Sequence, residues 1–444
     1  MKEAFEDKAA DGLPGDPVKK ARLQALLDLD NVSFLKEIVK LYPEAKLLAG
    51  PAIPSPERND KLVPQALAYQ VFDEATPVHE TAVEADRTFT SLVLLRSALT
   101  NTVKGGEFPK LSDQGYEDLR KMNADIIRTA DDLELMIYSL TAQDLGKTIK
   151  LLNDHDTHFT ESARDHDHLL YEMNAEYPQY FPGFEALPGS SQASYLAGLD
   201  SDFNLGQFVQ GENLPCNLQK IMQLDQHARD IRILTEIYDF MGAAGHAVPG
   251  KSILATDENL YAYRTAFDAL ALGDPLKSYA VYMHQRGARV GLAGSGDDIL
   301  ADKEKFALCR IAALSRAFTQ DQGAQIRAVW DALPPADRAT LTEEMAITGL
   351  NRDEKRGILV YYSPGLISNT IAAVKDFSKG LDLGLRAIAN TYRAARVCTP
   401  ETGYGQTTMD VNDLAKQAKT APEKIVEPHK AAPAGPFKRL VLEM

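Results

Sequence analysis

Apolar residues recur along most of the chain at steps of three and four, the spacing of one buried face of an α-helix. Helical spacing begins near Val18 with Leu23, Leu26 and Leu27, and continues through Phe34, Leu35, Ile38 and Val39, with Asn31 or Ser33 to cap the second piece. Pro51, Pro54, Pro56 and Pro64 predict a turn-rich connector. Thr76-Pro77 offers a capping hydroxyl followed by a first-turn proline, so a helix is expected from there to about Ala98. Gly105-Gly106 and Pro109 break it. Ser112 then opens a long helix through Leu119, Met122, Ile126, Leu133, Met136, Ile137 and Leu140, stopped at Gly146. A third helix is expected from about Thr148 to Glu176, a packed aromatic loop from Tyr177 to Ser190, and another helix from about Leu218 to Met241 ending at Gly242.

Beyond Pro249-Gly250 the pattern predicts helices at Tyr261 to Leu272, Leu276 to Gln285, Lys303 to Phe318, Ala324 to Leu333, Leu341 to Ile347 and Ile367 to Val397. Alternation in Ile358 to Tyr362 predicts one short strand. From Thr399 onward Pro, Lys, Gly and Thr dominate, and an extended tail is expected. The fold class is therefore all-α. Four segments follow: N-terminal helices and connector (1–69), a helical domain (70–250), a second helical domain packed on it (251–398) and the tail (399–444).

Composition narrows the function classes. The chain has 444 residues, 44% hydrophobic and 25% charged, and a formal net charge of −15, which with no local basic stripe argues against a nucleic-acid partner. No apolar run reaches the ~18 residues of a membrane span, and Arg96 stops the best one, Ser91 to Leu95. Cys216, Cys309 and Cys398 lie far apart with no Cys-x-x-Cys, as in a reducing compartment. The charged N-terminus lacks a signal core, so the expected location is cytoplasmic, and export by a signal-less route is equally compatible.

Candidate chemistry is concentrated between Leu133 and Met173. Four of the nine histidines, His155, His158, His166 and His168, fall there among Asp144, Asp154, Asp156, Asp165 and Asp167. Imidazoles and carboxylates suit a divalent transition metal such as Fe, Mn, Co or Zn, which can turn water into a nucleophile near neutral pH. On an unbroken helix His155 and His166 would share a face with Phe159, Ala163, Leu170 and Met173 but stand roughly 16 Å apart, too far to share an ion. His155 and His158, one turn apart, can meet at one metal. The competing reading is a solvated polar face. Weaker signals have plainer readings: the glycines at 291, 294 and 296 as a loop, Tyr361 to Gly365 as a packed turn, Cys216 as a structural cysteine rather than a nucleophile served by His227, and His246 as a loop residue.

The stretch Gln143-Asp144-Leu145-Gly146-Lys147, with His79 before it, His166 after it and Asp239 in Ile237 to Gly242, resembles the HD superfamily over about residues 70–245. Those proteins are all-helical, metal-dependent phosphohydrolases and phosphodiesterases, with a smaller di-iron oxygenase branch. The resemblance implies His79, Asp144, His166 and Asp239 as metal ligands, Lys147 neutralising an anionic small-molecule substrate, and His168 or His158 moving a proton. Gln143 stands where the family has its name-giving histidine, and an amide oxygen is a poorer ligand for a transition metal than imidazole. The implied function is hydrolysis of a phosphorylated small molecule. The alternatives are a non-catalytic helical protein with a degenerate site that binds a protein partner, or a di-iron oxygenase on the same scaffold. Asp-Leu-Gly-Lys is also an ordinary helix end.

Overall fold

A computed structural model describes residues 10, 12–53, 66–160, 163, 165–434 and 439–443. Its helices in chain order are α1 (Pro17–Leu27), α2 (Asn31–Leu41), α3 (Ala66–Val71), α4 (Val83–Thr100), α5 (Asp113–Ile126), α6 (Ala130–Ala142), α7 (Ile149–His158), α8 (His166–Glu176), α9 (Pro182–Glu185), α10 (Gly189–Asp200), α11 (Leu205–Val209), α12 (Gln219–Gln223), α13 (Gln226–Gly242), α14 (Asp257–Leu270), α15 (Pro275–Arg289), α16 (Lys303–Leu314), α17 (Gln320–Ala332), α18 (Pro335–Met345), α19 (Ser363–Val374), α20 (Phe377–Cys398) and α21 (Asn412–Ala418). Strands are β1 (Gly357–Tyr361), β2 (Gln406–Asp410), β3 (Lys430–Ala434) and β4 (Arg439–Glu443). Helix at 64% against strand at 5% makes the fold all-α with one small sheet.

The chain divides into two units, 1–203 with 224–261, and 204–223 with 262–444. The first N-terminal helix is tied into the first unit, α1 against α6: Lys19 Nζ lies 2.5 Å from Asp131 and 2.7 Å from Glu134, and Arg22 also pairs with Glu134. Prolines 54, 56 and 64 of the expected connector lie outside the described residues. The core of this unit is built from Phe89, Leu92 and Val93 of α4, Met136 and Ile137 of α6, and Leu234 and Tyr238 of α13, all buried. The carboxyl end of α13 approaches α4 closely. A Cβ on Gly242 would lie 2.0 Å from Ser91 Oγ and 2.8 Å from the Arg87 carbonyl.

Several expected helix limits are corrected. The helix expected from Thr76-Pro77 begins at Val83; Glu84 and Asp86 in that first turn complement the helix dipole, and residues 79–82 form a turn instead, closed by the Ala82 amide on the His79 carbonyl. The long helix from Ser112 is two. Ser112 does cap α5, but Thr129 and Asp132 form a capping box that starts α6 afresh. The helix expected from Thr148 to Glu176 is also two, with Asp165 capping α8 through the His168 amide at 2.8 Å. Asp225 divides α12 from α13, and Gly242 lies within α13. Asp30, rather than Asn31 or Ser33, caps α2.

Gly146 does not end a helix in left-handed geometry. It follows the end of α6, inside the 3₁₀ turn Leu145–Lys147. A Cβ there would fall 2.2 Å from the His166 carbonyl oxygen and 3.1 Å from Leu170 Cγ. The glycine is needed because α8 passes directly over the turn.

In the second unit the expected helices appear with shifted ends, and the long Ile367 to Val397 helix is interrupted by Lys375, at φ 56°. The expected strand is β1. The tail, expected to be extended, instead supplies β2, α21, β3 and β4. The sheet order is β1-β2-β4-β3, with the first two pairings parallel and β3 antiparallel to β4. Register sets Val360 opposite Met409 and Met409 opposite Leu440. These join a core with Trp330, Leu366, Ile388 and Tyr392.

Gly146→Ala should lower unfolding stability by roughly 1–3 kcal/mol, the usual cost of overpacking. Gly189→Ala, whose Cβ meets nothing within 4 Å, should be near neutral in the same denaturant titration. Equal stabilities for the two variants would remove the close-approach role.

Candidate functional site

The segment after α6 is fixed from both sides by backbone hydrogen bonds. The Lys147 amide donates to the Asp144 carbonyl at 3.0 Å, and the Thr148 amide to the Leu145 carbonyl at 3.1 Å. The Ile53 amide donates to the Lys147 carbonyl at 2.8 Å, beside a bridge between Ala52 and Thr148. Asp144, 1% exposed, is thereby buried against α4.

Its two oxygens have separate partners. Lys147 Nζ lies 2.5 Å from Oδ1, and Thr88 Oγ1 of α4 donates to Oδ2 at 3.2 Å. Glu84, one turn before Thr88, takes Arg87 Nη1 at 2.9 Å and has Lys147 Nζ at 3.8 Å. Asp239 of α13 lies within electrostatic range of Asp144, Lys147 and Arg87. His246, just beyond α13, lies within range of Arg87 and Glu84.

Charges in this group order themselves by pairing. Burial alone would raise the Asp144 carboxyl, but Lys147 and then Arg87 outweigh it and hold it well below the usual carboxylate range. Burial would lower the Lys147 ammonium, yet Asp144 and Glu84 push it above its ordinary value; Arg87 is likewise raised against burial by Glu84 and Asp144. Three carboxylates face two permanent cations here, so one negative charge is in surplus. It falls on Asp239, whose carboxyl is raised by burial and then by the charge of Asp144. Asp239 Oδ1 has no hydrogen-bond partner among the described residues. Burial and then Arg87 hold the His246 imidazole below its usual value, with Glu84 opposing.

The sequence-predicted residues divide into three places. Asp144, Lys147 and Asp239 belong to this buried group. His166 lies at its edge: its side chain is 40% exposed, 3.5 Å from Asp167, and within electrostatic range of Asp144. His79 is exposed in the turn before α4, with Nδ1 2.9 Å from Thr81 Oγ1. Gln143 is buried, and its Nε2 has no hydrogen-bond partner among the described residues.

His155 and His168, separated by the break between α7 and α8, meet at one carboxylate. His155 Nε2 lies 2.8 Å and His168 Nδ1 3.2 Å from the same oxygen of Glu172. The spacing of roughly 16 Å applies to His155 and His166 on one unbroken helix, and the break between α7 and α8 removes that premise. His155 is fully buried and stacked on Phe159, with ring centroids 4.5 Å apart. His158 does not join it at a common ion; it stacks on Tyr177 at 4.1 Å and bonds Tyr180 Oη at 3.0 Å. His158 and His168 are thus committed to Tyr177, Tyr180 and Glu172.

The sequence reading missed Glu84, Arg87 and Thr88; His246, read as a loop residue, does lie in the turns after α13. A signal was present: Glu84, Arg87, Thr88 and Ser91 recur at steps of three and four in the otherwise apolar α4.

The minor candidates have local explanations. The Gly294 amide donates to Asp297 Oδ2 at 2.6 Å, so the glycine loop satisfies itself. Burial pushes the Cys216 thiol up to about 11, against nucleophilic use. Its supposed partner His227 belongs to the other unit and bonds Asp132 Oδ1 at 2.7 Å.

The implied metal does not fit this arrangement. Among the described residues no three His, Cys, Asp or Glu side chains converge to hold an ion, and an ammonium already lies on Asp144. No helix among them is long and apolar enough to cross a membrane.

The family model described as Family of unknown function (DUF6829) matches residues 78–397, well over half the chain, and the chain belongs to that family. No curated protein matches it, and no solved structure does.

Lys147→Met leaves Asp144 buried without its nearest cation and should cost about 3 kcal/mol. Adding Asp144→Asn should restore more than half of that loss in a double-mutant cycle. Asp144 itself, with its folded pKa depressed, contributes stability that is complete above the ordinary carboxylate value of about 4 and is lost as pH falls through the folded value. Asp239 has the opposite sign. Its raised folded pKa costs stability from about 4, where the unfolded carboxyl ionises, and the cost is complete once pH exceeds the folded value, so Asp239→Asn should raise the melting temperature at pH 7, and the gain should vanish as pH approaches about 4. A fall in melting temperature at pH 7 would contradict the charge surplus.

Proposed function

We propose that the chain is a non-catalytic helical protein on an HD-like scaffold, acting through binding to a protein partner rather than through turnover. One observation carries this reading: the Lys147 ammonium and the Thr88 hydroxyl take up the two oxygens of the Asp144 carboxylate. The ammonium 2.5 Å from Oδ1 is a cation standing where a bridging metal would have to bind. Here the two contacts serve cohesion between α4 and the turn after α6.

A second reading, the metal-dependent hydrolase of phosphorylated small molecules, has one observation in its favour. The unpartnered Asp239 Oδ1 beside Asp144 is the kind of oxygen a cation would take, once Lys147 had moved aside. The di-iron oxygenase reading would need the same carboxylates.

Elemental analysis of the full chain, with melting temperatures in buffer and in chelator, separates these readings. The proposal expects no stoichiometric transition metal and an unchanged melting temperature in chelator. Stoichiometric Fe, Mn, Co or Zn that is lost in Asp144→Asn would overturn it in favour of the hydrolase, and reduction-dependent iron spectra would favour the oxygenase.

A further inference from the structure

The chain enters the second unit twice, first as residues 204–223 and then from residue 262 onward. The first passage holds the short helices α11 and α12, and between them the backbone of 211–214 is irregular and buried. Carbonyls in such a stretch have no helix or sheet ladder to bond to, so their donors must come from elsewhere.

Side chains of the later passage supply those donors. Arg310 of α16, 2% exposed, gives Nε to the Gly211 carbonyl at 2.7 Å and Nη2 to the Glu212 and Asn213 carbonyls at 2.9 and 3.3 Å. On α15 the Tyr279 hydroxyl donates to the Asn213 carbonyl at 2.7 Å, and the Tyr282 hydroxyl to the Val209 carbonyl at 2.6 Å. Arg286, also buried, donates to the Tyr282 hydroxyl at 3.1 Å and to the Ala317 carbonyl at 3.0 Å. In return, the Glu212 carboxylate accepts from the Tyr362 amide, just after β1, at 2.8 Å and lies within electrostatic range of Arg310.

A protein holds a bound peptide in this way. The grip falls on main-chain carbonyls, and two apolar side chains of the segment act as anchors. The Phe208 ring lies 4.8 Å from Tyr282 and 5.9 Å from Tyr279. Leu214 covers Gly357 at the start of β1, where a Cβ would come within 2.6 Å of it. Gly211, at φ 70°, turns the chain between the anchors and leaves no room for a side chain: a Cβ would lie 3.0 Å from Ala313 Cβ and 3.2 Å from the Arg310 carbonyl. Without the segment, the donors of Arg310, Tyr279 and Tyr282 would lose these acceptors, and buried donors left unmet are costly.

We infer that residues 204–223 are a strap which the second unit binds as a peptide ligand of the pattern Phe-x-x-Gly-Glu-x-Leu, and that the groove between α15, α16 and β1 accepts the same peptide supplied in trans once the strap is loosened. The strap lies in the other unit from the Asp144 group and does not depend on what that group does.

The test uses the full chain and a fluorescent synthetic peptide of residues 204–223. Gly211→Ala forces a side chain onto left-handed backbone against Ala313 and loosens the strap. Hydrogen exchange across 204–223 should rise roughly 10-fold or more, while that of α4 and α6 stays unchanged. The wild-type peptide should then bind the Gly211→Ala chain saturably, and the unsubstituted chain, whose groove is filled, roughly 10-fold more weakly. A peptide itself carrying Gly211→Ala should lose affinity by a similar factor. Tyr282→Phe keeps the ring against Phe208 and removes the bond to the Val209 carbonyl, so it serves as the loosened chain if Gly211→Ala fails to fold. Its exchange across 204–223 should rise roughly 3- to 10-fold. Unchanged exchange across 204–223 in a folded variant, no uptake of peptide by the loosened chain, or equal binding to both chains would overturn the inference.

Discussion

A charge removed from water must be neutralised at close range, and the first unit is arranged around meeting that demand at Asp144. The carboxylate is almost fully buried, so its partners have to come from the elements that bury it. Lys147 comes from the turn that follows, Thr88 from α4, and the wider field from Arg87 of α4 and His166 of α8. Together they tie the turn to α4 and α8. The polar stripe of α13 extends the same network: Arg232, Glu236 and Asp239 recur at steps of four and three, the first two joined directly and Arg232 reaching Asp167 of α8. Apolar packing makes these helices compact, while the ion pairs fix which faces meet.

Such a network specifies geometry more than it adds stability. A buried ion pair often does no better than well-packed hydrophobic residues of equal volume, because desolvation offsets the attraction. The surplus negative charge at Asp239 is a net cost. What the pairs do achieve is a penalty for any register that separates Asp144 from Thr88, Lys147 from Glu84 or Asp167 from Arg232. That suits helices whose apolar faces alone would tolerate sliding.

The all-α class, the Ser112 cap and the single strand near 358 were legible because each rests on local signals: periodicity, a capping hydroxyl and alternation. The breaks at Thr129, between His158 and His166, and at Asp225 were not. Apolar spacing continues across each break, and periodicity is blind to a change of axis. The evidence lay in the caps, with Thr129 and Asp132 three apart and Asp165 and Asp225 each accepting from the amide three residues on. The tail strands were hidden for a different reason. β2 and β4 gain their identity from parallel pairing across long sequence separations, and Pro433 in β3 speaks against a strand until its partner is known. In the candidate site Asp144 and Lys147 were legible from the Asp-Leu-Gly-Lys run. The residues of α4 were not, because buried polar side chains in an apolar helix take their meaning from the facing elements.

That short run shows how one string of residues supports two chemistries. Read as a metal motif, Asp144 is a ligand, Gly146 a turn and Lys147 a substrate contact. Read as packing, Gly146 is required because the His166 carbonyl comes within 2.2 Å of where a Cβ would be, and this brings α8 over the turn. That passage of α8 sets His166 near Asp144 and aligns Asp167 with Arg232. Lys147, three residues after Asp144 on a 3₁₀ turn, has the reach to fold back onto the carboxylate. The glycine and the lysine therefore act together: the first lets the covering helix come close, and the second neutralises the charge that this covering buries. A motif whose residues explain one another in this way requires no ion to account for its presence.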